Sequence, residues 1–126
     1  MINTYTKTFE ILDNDRVNRI DCKVYYHLGG VNPFYNTMEQ RGYYFSISPY
    51  ELIDHGNGLY SRCLRISPTA GSGIKTCVLP VGRQSKKRYE EARNKIDELI
   101  ERFLEPFCEE NGLRLGQLVN VTEEER

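Results

Sequence analysis

The hydrophobic period of this chain changes once, near Gly82, and the change dictates two kinds of secondary structure in one fold. Before that point apolar residues recur at every second position, the period of a strand with one buried face; after it they recur every three or four, the period of an amphipathic helix. The clearest alternation sets Ile20, Cys22, Val24, Tyr26 and Leu28 against Arg19, Asp21, Lys23 and Tyr25. Thr4 to Leu12 repeats the pattern with Tyr5, Phe9 and Ile11 on one face, although Lys7 breaks the apolar set. Tyr43, Phe45 and Ile47 alternate with Tyr44, Ser46 and Ser48 from Gly42 to Ser48, and Pro49 is expected to stop pairing there. Leu59 to Ser67 and Ile74 to Leu79 read as further strands. Asp13-Asn14-Asp15, Gly29-Gly30 and Asp54-His55-Gly56-Asn57-Gly58 are turn signals between them, and residues 29–41 read as a loop. Strands joined by such short links favour an antiparallel meander.

Beyond Gly82, Tyr89, Ala92, Ile96, Leu99, Ile100, Phe103 and Phe107 form one broad helical stripe, with Ser85 as N-cap. Pro106 is expected to kink or interrupt this helix, and Glu110-Asn111-Gly112 to end it. The expected fold is therefore α+β: a four- or five-stranded antiparallel sheet covered on one face by a long C-terminal helix, Ser85 to Glu105. Residues 1–112 would form this single domain and residues 113–126 a C-terminal tail, with room for a short segment at Gln117 to Val121 before it frays from Thr122 onward. The inward set should comprise Phe9, Ile11, Cys22, Val24, Tyr26, Phe45, Ile47, Leu64, Ile66, Val78, Ile96, Leu99, Phe103 and Phe107.

The chain has 126 residues and a formal net charge of −1, which excludes a generally polybasic nucleic-acid binder. It has no apolar run of the roughly 20 residues needed to span a membrane, and its first residues lack a signal-peptide pattern. A cytoplasmic location is expected. Cys22, Cys63, Cys77 and Cys108 are dispersed without a Cys-x-x-Cys pair, so buried free thiols are the simplest reading. A zinc site from Cys22, His27, Cys63 and Cys77 is the alternative. No cofactor is expected. For catalysis the best arrangement is Cys63 with His55 and Asp54, outweighed by a turn histidine beside a sheet cysteine. Gly71-Ser72-Gly73-Ile74-Lys75-Thr76 lacks the order of a phosphate-binding loop and leads into a strand.

Charge is distributed unevenly. Residues 1–95 carry +5 and residues 96–126 carry −6. Arg83, Lys86, Lys87, Arg88, Arg93 and Lys95 crowd the helix start, and Asp97, Glu98, Glu101 and Glu105 follow them, against the helix dipole at both ends. Either these are solvated helix faces, or they form a binding surface that is basic at one end and acidic at the other. Tyr25 and Tyr44 should project from the sheet face away from the helix, where with Phe34 and Tyr35 they either offer an aromatic patch suited to protein recognition or base stacking, or support the sheet by cross-strand pairing.

Leu28-Gly29-Gly30-Val31-Asn32-Pro33-Phe34, then Gln40-Arg41-Gly42-Tyr43-Tyr44-Phe45-Ser46-Ile47-Ser48-Pro49, resembles a block in small proteins of bacterial mobile elements, phages and conjugative elements. Gln84-Ser85-Lys86-Lys87-Arg88-Tyr89 is similar to those proteins too. Such accessory proteins include inhibitors of host defence, among them anti-CRISPR proteins, and the resemblance implies a class of role without site residues. The expectation is a non-enzymatic protein-binding module that inhibits a host nucleic-acid-guided nuclease. Its binding residues would be Asp97, Glu98, Glu101, Glu105, Tyr25, Tyr44, Phe34 and Tyr35. The alternative is nucleic-acid binding through Arg83, Lys86, Lys87, Arg88, Arg93 and Lys95, by phosphate contacts that release counterions.

Overall fold

The computed structural model describes residues 2–32, 37–39, 41–64, 75–79 and 82–125. The elements in chain order are β1 (Ile2–Leu12), β2 (Arg19–His27), β3 (Gly30–Asn32), β4 (Thr37–Glu39), β5 (Gly42–Gly56), β6 (Leu59–Leu64), β7 (Lys75–Leu79), α1 (Lys86–Arg93), α2 (Ile96–Glu110) and β8 (Arg114–Glu125). Six strands form one antiparallel sheet in the order β6-β5-β2-β1-β8, with β7 also paired to β5. The α+β class is as expected; the covering layer and the last element are not. Two helices replace the single Ser85–Glu105 helix, and the chain's last element is a strand, with Thr122 to Glu125 paired to β1 rather than frayed.

The parity of the strands decides which face the helices cover. Ile20, Cys22 and Val24 of β2 and Tyr43, Phe45 and Ile47 of β5 are all fully buried. The expected inward residues Phe9, Tyr26, Val78, Leu99 and Phe103 pack around the buried Ile11, Ile96 and Phe107. The Leu64 side chain and Ile66 lie outside the described residues. Cross-layer packing is aromatic: Phe45 stacks on Phe103 with ring centroids 6.3 Å apart, and Tyr43 meets Tyr26 at 5.2 Å and Tyr89 at 6.4 Å. A fully buried Phe45 contributes about 2–3 kcal/mol by area removed from water. The Tyr26 and Tyr43 hydroxyls donate to the Gly82 and Ser85 carbonyls, tying the sheet to the approach of α1.

Lys7 breaks the apolar alternation of β1 for a reason that sequence hides. It shares the parity of the buried side, and its ammonium reaches Asp97 of α2 at 2.6 Å.

Ser85 caps α1 as expected, its hydroxyl accepting from the Arg88 N–H. The helix then tightens at Asn94 and Lys95: the Lys95 N–H donates to Ala92, three residues back instead of four, and α2 restarts from there. Pro106 does not end α2, which runs on to Glu110. Its ring and Arg102, whose carbonyl loses a donor, are both on the exposed side, so water can serve that oxygen. The end comes at Gly112 (φ 65°), where the Leu113 N–H donates to Cys108 O in a Schellman-type closure.

Pro49 does not stop β5 either, and pairs in register with Ile20. On its other edge β5 pairs with β7 through residues 43–46 and with β6 from residue 50 onward. Among the described residues neither of these two strands pairs with Pro49, so neither needs its missing N–H. The long β5–β6 hairpin turns at Asn57-Gly58, both with positive φ (56° and 76°), the geometry that an Asn-Gly pair supplies at least strain. The expected 29–41 loop contains the small β3–β4 hairpin.

Candidate functional site

The acidic positions of α2 fall on one side because their spacing follows the helix. Asp97, Glu98, Glu101, Glu105 and Glu109 succeed one another at one, three, four and four residues, and all are exposed. From Asp97 to Glu109 the stripe is about 18 Å long, at 1.5 Å per residue. Asp97 is paired with Lys7, yet its side chain is still 78% exposed. Among the described residues no cation lies within ion-pair distance of Glu98, Glu101, Glu105 or Glu109. Five carboxylates over that length give one charge per about 4 Å, close to the roughly 3.4 Å per phosphate along one strand of a duplex.

The basic cluster is divided by the fold. Arg83, Lys86, Lys87 and Lys95 are exposed around α1, while Arg88 lays its guanidinium against Gly82, so tightly that a Cβ there would come within 2.6 Å of it. Arg93 leaves the cluster. Its guanidinium bonds Glu123 of β8 at 2.9 Å and lies over the rings of Tyr5 and Tyr89. The Glu123 hydrogen bond raises the Arg93 pKa further. Burial, then the Glu123 charge, pushes the Tyr89 hydroxyl up to about 12.

The opposite face of the sheet, which neither α1 nor α2 covers, carries Tyr25 and Tyr44. Tyr25 and Tyr44 are cross-strand partners with ring centroids 6.3 Å apart. His27 meets Tyr44 edge-on at 5.7 Å, and the Lys23 ammonium sits 4.9 Å from the Tyr25 centroid. Phe34 and Tyr35, the rest of the expected patch, lie outside the described residues. The acidic stripe and the tyrosines therefore belong to opposite layers and cannot act as one surface.

A network missed at the sequence level lies further along the same face. Asp21 is 7% exposed although no helix covers it. Its Oδ1 accepts from the Thr8 hydroxyl at 2.8 Å, and its Oδ2 pairs with Arg62 at 2.9 Å. Arg62 in turn lies 4.0 Å above the buried Tyr50 ring. Burial, then the Asp21 charge, raises the Tyr50 pKa. The available signal was an aspartate in mid-strand, a position where Asp is depleted.

The catalytic alternative does not assemble around the cysteine. His55 Nε2 lies 2.6 Å from Ser61 Oγ on the exposed hairpin, Asp54 accepts from the Gly56 N–H, and Cys63 stands opposite Glu51. The four residues of the zinc alternative do not converge: Cys22 is in the core, whereas His27 and Cys77 flank Tyr44 on the other face. Burial pushes the Cys22 thiol up to about 12 and that of Cys108 up to about 11, the reverse of what a thiolate ligand needs. Comparison with protein-family models, curated proteins and solved structures gives no match.

Proposed function

We propose that the protein is a non-enzymatic binding module of a phage or conjugative element, an inhibitor that occupies the nucleic-acid channel of a host defence nuclease with the acidic face of α2. The observation that carries the reading is the row of Glu98, Glu101, Glu105 and Glu109 on a rigid helix, one charge per about 5.5 Å of axis, with no cation within ion-pair distance among the described residues. A channel built to bind phosphates meets there a surface that it attracts and cannot cleave. The tyrosine face is the less favoured surface for this role, because the rings of Tyr25 and Tyr44 are half-buried among their own neighbours.

The test is capture from host lysate by the wild type and by a variant with Glu98, Glu101, Glu105 and Glu109 all changed to Gln, followed by nuclease assays on what is retained. The wild type should retain a nuclease and inhibit it, with an affinity that falls as salt rises; the variant should lose both. Equal capture by the two, or turnover of a substrate by the protein itself, would falsify the reading. If Arg83, Lys86 and Lys87 instead bind nucleic acid, the wild type will bind oligonucleotides at low salt, and the four-fold Gln variant will bind them more tightly.

A further inference from the structure

We propose that the free edge of β8 is the interface of a homodimer, in which β8 pairs antiparallel with β8 of a second copy about a two-fold axis between Val119 and Asn120. This does not rest on the acidic face of α2. β8 is the outermost strand of the sheet, and among the described residues it pairs with β1 alone. Bulged at Val119 and again between Leu115 and Leu118, and with the Gln117 and Val121 N–H groups bonded to the Glu10 and Asn120 side chains, the strand otherwise presents a second row of backbone donors and acceptors over about 40 Å, at some 3.3 Å per residue. Leu118, Val119 and Val121 in its middle are 45–46% exposed, three apolar residues together on the outer strand of the sheet.

Charge selects the occupant. The strand begins with Arg114 and ends with Glu123-Glu124-Glu125. Glu123 is held by Arg93, whereas Glu124 and Glu125 have no cation within ion-pair distance among the described residues. Among the described residues Arg114 pairs with Asp13 alone, at 2.7 Å on the open surface, which leaves further guanidinium donors for a partner. Antiparallel pairing about an axis between Val119 and Asn120 sets Arg114 of each copy opposite Glu125 and next to Glu124 of the other, and sets Leu118 opposite Val121 close to the axis. A parallel arrangement would oppose the acidic ends to each other. The strand is thus complementary in charge to its own reverse, which is the requirement for a self-matching two-fold interface.

Sedimentation of the full chain from micromolar to submillimolar concentration tests this. The expected result is a reversible shift from 14.7 kDa to twice that mass. Leu118→Lys with Val121→Lys should abolish the dimer. Glu124→Lys with Glu125→Lys should weaken it at least about tenfold, and adding Arg114→Glu to that pair should restore it. Circular dichroism of each variant must match the wild type. Independently of any substitution, amide exchange of wild-type β8 should slow as concentration rises. A monomer at all concentrations, a dimer indifferent to both lysine pairs, or loss without rescue by Arg114→Glu overturns the proposal.

Discussion

At Asp21 a carboxylate is buried on the uncovered side of the sheet, with one oxygen given to Thr8 and the other to Arg62. Asp21→Ala removes both partnerships and leaves the Thr8 hydroxyl and Tyr50 facing a gap. Arg62 is 48% exposed and regains water, so the loss should be about 2 kcal/mol, below that of a fully buried pair. Urea denaturation of the variant measures it, and a midpoint equal to the wild type would show that the network adds no stability. Cys22, one residue on, points the other way into the core, where burial and then Asp21 and Cys108 lift its thiol from 9.0 to about 12. A raised folded-state pKa means that the native state holds the proton more tightly than the unfolded chain. This stabilisation is complete below pH 9 and disappears as pH climbs toward 12. The urea midpoint should fall through that window. Cys22→Ala, though less stable at neutral pH because of the cavity it leaves, should fall less steeply. Cys108, at about 11, and Tyr89, at about 12, act in the same direction, so the decline should be reduced and not abolished.

Among the elements, those with one wet and one dry face were legible, as was β6 beside its strong Asn57-Gly58 turn signal, whereas β8 was not. β1, β2 and the first half of β5 announce themselves by alternation, and α1 and α2 by their stripe. β8 does not, because an edge strand exposed along nearly its whole length carries no two-sided pattern and reads as a tail. The same blindness hid the fate of Arg93, whose partner Glu123 is thirty residues away on that strand. Pro49 misled because its cost depends on whether β5 has a neighbour at that point, which only the pairing reveals. The acidic stripe of α2, by contrast, was legible because it follows from helical spacing alone. The Arg93 to Glu123 link is measurable as a coupling between helix and strand. A double-mutant cycle with Arg93→Ala and Glu123→Ala should give about 1 kcal/mol, since the two side chains are one-third exposed. The Arg93 variant alone should lose more, because the contacts with Tyr5 and Tyr89 go as well. A coupling indistinguishable from zero would mean that α1 is held by its buried Tyr89 and Ala92 alone.

For the molecule as a whole, the decisive pairing is between the two ends of the chain. Ile2 stands opposite Glu125, and the ladder between β1 and β8 continues to Leu12 and Arg114. β8 therefore completes the edge of β1, and this ladder cannot close until residues 114–125 have been made. Such long-range pairing places folding in the slower range, milliseconds to seconds, typical of non-local sheets. Deleting residues 114–125 would strip β1 of one whole edge, remove Leu115 from beside Ile11, and leave Arg93 without its carboxylate. The truncated chain should be destabilised by more than about 3 kcal/mol and tend to aggregate through the bared edge of β1. Adjacency of the ends supplies the control. A circular permutant that joins them through a short Gly-Ser linker and opens the chain at the exposed Asn57-Gly58 turn keeps every ladder and cuts only one hairpin. It should give the wild-type circular dichroism spectrum and a cooperative melt, while the truncation does not. If the truncation folds as well as the permutant, β8 is an accessory to a sheet that is complete without it.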